Sequence, residues 1–136
     1  AANARVIYSL NFPTLRPSLA PDADEALSVL RERANAPKGP AVLDKAGVLF
    51  AFESSGLSDP KDFLKNAQKV VAGGLSKDAA LKALTLNAAT LAGAGDRLGS
   101  LERGKIANVI VTEGDLFDEK TAIKHVFVNG RPVKLN

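Results

Sequence analysis

The alternation of apolar and polar residues predicts two strands in the first half of the chain. Residues 5–10 (Arg-Val-Ile-Tyr-Ser-Leu) are rich in β-forming side chains, and Asn-Phe-Pro at 11–13 predicts that a loop follows them. Residues 48–52 form an unbroken apolar run, which is typical of a strand covered on both faces in a parallel sheet. Glu-Ser-Ser-Gly at 53–56 follows directly, so this second strand carries polar side chains at its C-terminal tip.

Helical spacing of apolar residues predicts helices around these two strands. One runs over residues 22–35, where acids crowd the first turn and arginines lie near the end, as the helix dipole favours. A second is predicted from a cap at Asp59 to the glycines at 73–74, with proline in the first helical position. Ser76 is expected to cap a third helix. A strand, a helix, a strand and further helices succeed one another, as in an α/β fold.

The last part of the chain has the pattern of antiparallel β-structure. Residues 106–112 and 123–128 are predicted to be strands. The Asn-Gly dipeptide at 129–130 is favoured in a two-residue type I′ turn, so residues 131–135 should pair back on the preceding strand. Pro132 predicts that this last strand lies at the edge of its sheet.

Composition and charge exclude several classes of function. The chain has 136 residues, enough for one domain, and a net charge of +3 with acids and bases interspersed. No basic run flanked by aromatic residues indicates a nucleic-acid surface, and no apolar stretch approaches the ~18 residues that cross a bilayer. We therefore expect neither nucleic acid nor a membrane as a partner. The first residues do not resemble a signal peptide, so we expect a piece of a longer protein, of unassigned compartment.

Cysteine and histidine usage limits the metal and nucleophile chemistry. The chain has no cysteine, which excludes disulfides, cysteine nucleophiles and thiolate metal sites. It has one histidine, His125, whereas hydrolytic metal sites usually take two or three imidazoles. His125 alternates with two apolar residues, and we expect it to be a packed or edge side chain. The sequence therefore predicts no metal ligand in this chain.

Glu53 and Ser55 are the candidates for catalytic chemistry. On a strand they point to the same side, so both could face the mouth of a barrel. A serine nucleophile needs a base, and no second residue is spaced to serve as one. The alternative is a polar strand end followed by a helix-capping turn. Asn11, just past the end of the first strand, is the candidate for lining a substrate.

A succession of short motifs resembles the C-terminal part of an amidohydrolase-superfamily enzyme, in the branch of imidazolonepropionase. The motifs are Gly-Leu-Ser-Lys-Asp-Ala-Ala-Leu at 74–81, Ala-Leu-Thr-Leu-Asn-Ala-Ala at 83–89, Leu-Gly-Ser-Leu-Glu-Arg-Gly-Lys-Ile-Ala-Asn at 98–108 and Val-Phe-Val-Asn-Gly at 126–130. Earlier residues fit the same comparison. The strand at 5–10 is similar to the seventh barrel strand of the family, and Ala-Gly-Val at 46–48 is similar to the start of the eighth.

This resemblance implies a fold and its partners. The family builds a (β/α)₈ barrel joined to a small β-sandwich that both chain ends form. Residues 1–98 would be the last two β/α units of the barrel, and residues 99–136 the C-terminal strands and hairpin of the sandwich. A barrel of this type takes about 250 residues, so its N-terminal part is the expected partner. Exposed strand edges would make the isolated chain associate with itself.

The resemblance also implies an activity, the metal-dependent hydrolysis of amide-like C–N bonds in non-peptide or dipeptide substrates. Family members hold a divalent metal such as zinc through histidines of earlier barrel strands. None of those ligands lies in this chain, so no cofactor is expected to bind it alone and the isolated chain is expected to be inactive.

One departure from the family bears directly on that activity. Family members end the eighth strand in Gly-Thr-Asp or Ser-Thr-Asp, and the aspartate takes a proton during hydrolysis. Here Ser55 occupies the aspartate position, and a serine hydroxyl is not a base near neutral pH. Glu53, two residues earlier, could substitute for it. The alternative is a pseudoenzyme or a small-molecule binding barrel that has lost its catalytic aspartate.

Overall fold

The computed structural model describes residues 3–14 and 24–135, which form a mixed α/β structure with two small sheets. The α/β character that the sequence predicts is confirmed. A short 3₁₀ helix (Ala36–Lys38) separates the first two helices. The elements in chain order are β1 (Arg5–Ser9), α1 (Leu27–Asn35), α2 (Gly39–Lys45), β2 (Leu49–Glu53), α3 (Asp62–Ala72), α4 (Lys77–Leu84), α5 (Leu86–Leu91), β3 (Val109–Glu113), β4 (Ala122–Val128) and β5 (Arg131–Val133).

The two predicted strands of the first half pair in parallel. The register runs from Arg5 opposite Leu49 to Ser9 opposite Glu53. Parallel neighbours need a crossover connection, and the helices α1 and α2 lie within it. One face of the pair packs on helices and forms the hydrophobic core. The buried members of this core are Leu10, Phe50, Phe52, Ala67, Val70, Leu75, Ala80, Ala83 and Phe117.

The opposite face of the strand pair is open to solvent along β1. Side-chain alternation puts Ile7 and Ser9 on this side, and the register adds Glu53 of β2. We call it the open face and define it by these three residues. Ile7 is 68% exposed, whereas burial of such a side chain would contribute about 1.5–3 kcal/mol. Packing on this face is therefore incomplete.

The outer edge of β2 is partly closed by a side chain. The Leu10 N–H donates to the Glu53 carbonyl at 3.1 Å, so the backbone groups of Glu53 point toward β1. Backbone groups alternate in direction along a strand, and those of Phe50 and Phe52 therefore point to the other edge. Asn87 of α5 donates its side-chain amide to the Phe50 carbonyl at 2.9 Å. One acceptor of this edge is thus already paired.

Helix α1 begins later than the sequence predicts. It starts at Leu27 rather than at residue 22, so the acids expected in its first turn precede it, and Asp22 itself lies outside the described residues. Ala26 has an extended backbone, with ψ of 135°. Glu25 makes an ion pair with Arg33 at 2.8 Å across the length of the helix. Residues 24–26, which belong to the predicted first part of the helix, are not helical.

The ends of α3 and α4 show how capping selects a helix start. The prediction that Asp59 caps α3 is wrong, because the helix begins at Asp62. Asp59 accepts a hydrogen bond from the Lys61 N–H at 2.8 Å and so caps the turn before the helix. The Ser76 cap is confirmed, since its hydroxyl accepts from the Ala79 N–H at 3.2 Å. Within the described residues no helix is both long and apolar enough to span a bilayer.

The C-terminal sheet is antiparallel, with β4 between β3 and β5. Asn129 and Gly130 both have positive φ, 51° and 73°, which is the backbone that a type I′ turn requires. The predicted hairpin and the edge position of Pro132 are both confirmed. None of the residues in these three strands is buried. This sheet therefore has no core of its own.

The loop between β3 and β4, residues 114–121, attaches the sheet to the rest of the molecule. We call it the docking loop. Its Phe117 is 8% exposed and belongs to the hydrophobic core, and Leu116 packs beside it. Phe117 is the only buried residue that the structure describes after residue 98. The Phe117 N–H donates to Asp115 Oδ1 at 2.8 Å, which fixes the backbone where the ring enters the core.

Polar contacts hold the docking loop on α3 and α4. Lys77 Nζ lies 2.8 Å from Asp115 Oδ2 and 3.3 Å from Asp118 Oδ1. Gln68 of α3 donates its side-chain amide to the Leu116 carbonyl at 3.2 Å and to the Asp118 carbonyl at 3.4 Å. The loop is therefore bound by one aromatic side chain and by hydrogen bonds to two helices.

Candidate functional site

The carboxyl ends of β1 and β2 lie side by side on the open face. Ser9 and Glu53 are register partners and the last residues of their strands. Pairing continues one step further, because the Leu10 N–H donates to the Glu53 carbonyl at 3.1 Å. The two segments that follow β1 and β2 therefore leave the sheet from a fixed relative position.

The Glu53 carboxylate is held by hydrogen bonds from neighbouring residues. Its Oε2 accepts from the Ser55 N–H at 2.9 Å and from the Ser55 hydroxyl. The Ser55 hydroxyl, the Ser55 N–H and the Ser9 hydroxyl, in that order of strength, hold the pKa of Glu53 below its usual value. These donors favour the ionised form, so Glu53 is an anion at neutral pH and a weak base.

Asn11 packs against the turn that follows β2. Gly56 has φ of +80°, a conformation that L side chains rarely adopt, and a Cβ there would lie 2.6 Å from Asn11 Nδ2. The Asn11 N–H donates to the Ser9 hydroxyl at 3.2 Å. The structure thus brings together the candidates Asn11, Glu53 and Ser55, and adds Ser9. We refer to these four residues as the strand tips.

Asn66 of α3 binds the backbone beside the strand tips, and the sequence pattern did not identify it as a residue of the candidate site. It is 7% exposed, and its side-chain amide donates to the Leu10 carbonyl at 2.8 Å. Its Oδ1 accepts from Lys69 Nζ at 2.9 Å. A signal was present, because Asn66 lies three residues after Phe63 and four before Val70, on the apolar stripe of α3. A polar residue on a buried helix face needs a partner, and here the partner is the chain between Ser9 and Asn11.

Two clefts of the described part lie away from the strand tips. One of about 400 Å³ lies near the N-terminal end of β2, where Gly47 and Val48 line it with α4 residues. Another of about 500 Å³ lies between α3 and Phe117 of the docking loop. Neither cleft is lined by a strand-tip residue, because the strand tips lie on the open face, which the described part of the chain does not enclose. Chemistry, rather than cavity size, therefore identifies the candidate site.

Comparison with known proteins places the chain in a family. The profile of the Amidohydrolase family matches residues 14–133. The crystal structure of an amidohydrolase from Thermotoga maritima is 34% identical over 74% of this chain, with a TM-score of 0.67. The chain belongs to the amidohydrolase family. The resemblance drawn from the sequence motifs is confirmed at this level, while no curated protein matches the chain.

Other solved structures share the fold of this amidohydrolase chain at lower identity. A Xaa-Pro dipeptidase with bound methionine is 22% identical over 78% of the chain, with a TM-score of 0.65. A prolidase complexed with N-methylphosphonate-L-proline is 24% identical over 79%, also with a TM-score of 0.65. The chain spans 26%, 27% and 28% of the Thermotoga protein, the dipeptidase and the prolidase respectively.

The described residues of this amidohydrolase family member do not by themselves fit a divalent metal. No group of three or more His, Cys, Asp or Glu side chains converges in the part that the structure describes. At the strand tips there is one carboxylate, and hydroxyl and amide donors already engage its Oε2. His125 is exposed on β4, with its ring 6.4 Å from that of Phe127, and is not at the tips.

Proposed function

We propose that the chain forms the C-terminal part of a hydrolase that acts on C–N bonds in amide-like, non-peptide or dipeptide substrates. The observation that carries this proposal is the convergence of Ser9, Asn11, Glu53 and Ser55 at the carboxyl ends of two parallel strands. Residues 14–133 match the Amidohydrolase family, and enzymes built on parallel barrels hold their chemistry at these strand ends.

In this proposal residues 1–98 supply the last two units of a (β/α)₈ barrel. The pairing of β1 with β2 and the helices on one face of the pair support this assignment. The open face, with Ile7 at 68% exposure, would become the barrel interior. Residues 99–136 would supply strands of the composite sandwich, and their lack of buried strand residues agrees with a missing second sheet.

The proposed partner is the rest of the same protein. The matched part of this chain spans only 26% of the Thermotoga protein and 27% of the dipeptidase, which supports this. The ligands for a divalent metal such as zinc would come from that part, so the isolated chain would be inactive. It would associate with itself through the open face, because the apolar side chain of Ile7 is exposed there and a two-stranded sheet has strand edges that can pair with another copy.

Glu53 fits substrate contact better than proton abstraction. Hydrogen bonds that lower the pKa of a carboxyl also weaken it as a base, and Ser55 supplies two of them to Glu53. Ser55, in the position of the family aspartate, therefore orients Glu53 in this proposal. The base of the reaction would lie outside the described residues.

The test compares the full-length protein with the isolated chain on a panel of dipeptides and cyclic amides. We expect hydrolysis by the full-length protein, none by the isolated chain, and a loss of about tenfold or more in kcat/KM on the dipeptides for Glu53→Gln. Absence of hydrolysis across the panel by well-folded full-length protein would contradict the proposal. It would favour the binding barrel that has lost its aspartate.

A further inference from the structure

The Glu53 carboxylate has no cation as a partner among the residues that the structure describes. Seven close contacts between acids and bases occur there, and none involves a strand-tip residue. Glu53 is only half-buried on the open face. If the rest of the protein enclosed this site, the Glu53 carboxylate would lose hydrating water. Desolvation of an ionised carboxylate without a counter-charge is energetically costly.

A second serine–glutamate pair in the same chain makes the missing cation informative. The Ser100 hydroxyl donates to Glu102 Oε1 at 2.6 Å, as the Ser55 hydroxyl donates to Glu53. Glu102 also has Lys105 Nζ at 3.5 Å, so its charge is balanced. Both glutamates therefore accept a hydroxyl hydrogen bond from a serine two residues away, and among the described residues a counter-charge is present only at Glu102.

We infer that Glu53, with the Ser9 and Ser55 hydroxyls, forms a subsite for a protonated amino group of the substrate. This rests on the proposed function and narrows its substrates to amide-like compounds or dipeptides that carry an ammonium group. A primary ammonium has three N–H donors and needs several acceptors. The strand tips supply a carboxylate and two hydroxyl oxygens within one small area, with the Asn11 side chain beside them.

By themselves, the described strand-tip residues suit an ammonium better than a divalent metal. Hard divalent cations take several carboxylate, carbonyl or water oxygens, and serine hydroxyls contribute little to such sites. The described residues offer no cluster of three acidic or imidazole ligands. An ammonium instead binds through N–H···O hydrogen bonds, and a carboxylate that is held ionised and oriented is its strongest acceptor.

The test uses the full-length protein and matched substrate pairs, a dipeptide with a free amine and its N-acetylated form. We expect Glu53→Gln to lower kcat/KM for the free amine by about ten- to a hundredfold and to change the acetylated substrate less than about twofold. Glu102→Gln, which alters the other serine–glutamate pair, is the control and should change neither. An equal loss on both substrates for Glu53→Gln would overturn the inference.

A binding measurement separates this inference from the proposed hydrolysis. Calorimetry with leucinol and isohexanol, which differ in the amine and contain no amide bond, should show binding of leucinol only, and Glu53→Gln should abolish it. Leucinol binding without hydrolysis of any substrate would support the ammonium subsite and contradict the proposed hydrolase activity. Hydrolysis without preference for the free amine would support the proposed hydrolase and contradict the ammonium subsite.

Two further measurements guard against misfolding and metal binding. Glu53→Asp keeps the charge on a shorter side chain, and a folded variant should retain part of the preference for the free amine. Complete loss of the preference in folded Glu53→Asp, with leucinol binding unchanged in Glu53→Gln, would contradict the subsite. Loss of bound metal from Glu53→Gln by elemental analysis, with the metal retained in Glu102→Gln, would make Glu53 a metal ligand and would also overturn it.

Discussion

The β1–β2 pair and the β3–β4–β5 sheet are held in the molecule in opposite ways. The pair packs one face on α3 and α4 and contributes Phe50 and Phe52 to the core. The sheet contributes no strand residue to it and is attached through Phe117 of the docking loop. The first region is fixed by a shared core, and the second by one aromatic side chain with polar contacts around it. The difference teaches that sheet formation and sheet attachment have separate causes.

Helix α3 serves both regions through two side chains. Asn66 is buried and donates to the Leu10 carbonyl at 2.8 Å, at the strand tips. Gln68 is half-buried and donates to the Leu116 carbonyl at 3.2 Å, in the docking loop. Residues two apart on a helix point in different directions, so one helix reaches both places. Substitutions on α3 and in the docking loop can therefore test each region separately.

The largest effect is expected for Phe117→Ala. Truncation of a buried phenylalanine removes its packing and should lower the free energy of unfolding by about 3 kcal/mol. Hydrogen exchange should show faster exchange in β3, β4 and β5, with β1 and β2 changed least. Leu101→Ala, which alters an apolar side chain that is 84% exposed, is the control. Equal loss of protection in both sheets would break the comparison.

An intermediate effect is expected for Asn66→Leu. The substitution leaves the buried Leu10 carbonyl without its donor and should cost about 2 kcal/mol, with faster exchange at the strand tips. Gln68→Leu is the matched change, because it removes the longer bonds to the docking loop and should cost about 1 kcal/mol or less. The comparison would fail if Gln68→Leu cost more, or if its effect reached the strand tips.

The smallest effect is expected at the Lys77–Asp115 contact of the docking loop. The Lys77 ammonium, followed by the Phe117 N–H, lowers the pKa of Asp115 below its usual 3.8, and hydrogen bonds to Asp115 and Asp118 raise the pKa of Lys77 above its usual 10.5. The stabilisation from Asp115 is present above its unfolded pKa and is lost as the pH falls through the lower folded value. That from Lys77 is present below its unfolded pKa and is lost as the pH rises through the higher folded value.

Urea unfolding across the pH range measures this contribution. Lys77→Met should reduce stability slightly between those two limits and leave it unchanged at pH values outside them. Added salt should reduce the difference, because both side chains are partly exposed to solvent. A larger loss for Lys77→Met than for Phe117→Ala would show that charge, rather than the aromatic side chain, attaches the sheet.

The elements that sequence patterns predicted are those with a local cause. The apolar run at 48–52, the Ser76 cap and the Asn129-Gly130 turn each depend on a few neighbouring residues, and each appears at or within a residue or two of its predicted place. The starts of α1 and α3 were misplaced because Glu25 and Asp59 use their carboxylates elsewhere. The partner of Glu25 lies eight residues away, whereas that of Asp59 lies only two residues away, so the start of α3 was the more local of the two errors.

The candidate site likewise contains some contacts that local sequence predicts and others that only the folded chain creates. The contact between Glu53 and Ser55 follows from their spacing on a strand end, and the sequence predicted that they share a side. The approach of Ser9 and Asn11 depends on the pairing of two strands about forty residues apart, which only the parallel register fixes. Asn66 was missed because its partner, the Leu10 carbonyl, is 56 residues away.

The hydrogen bond from Asn87 to the Phe50 carbonyl limits how a strand from another molecule can pair with this edge of β2. A strand that stacked on this edge of β2 would find its first acceptor occupied, and only the stretch from Phe52 onward could pair. Amyloid-type stacking takes about six continuous residues. One amide side chain on α5 therefore shortens the most apolar segment of the protein as a template for aggregation. Under the proposed function, the next strand of the barrel would pair at the end of this edge beside Glu53.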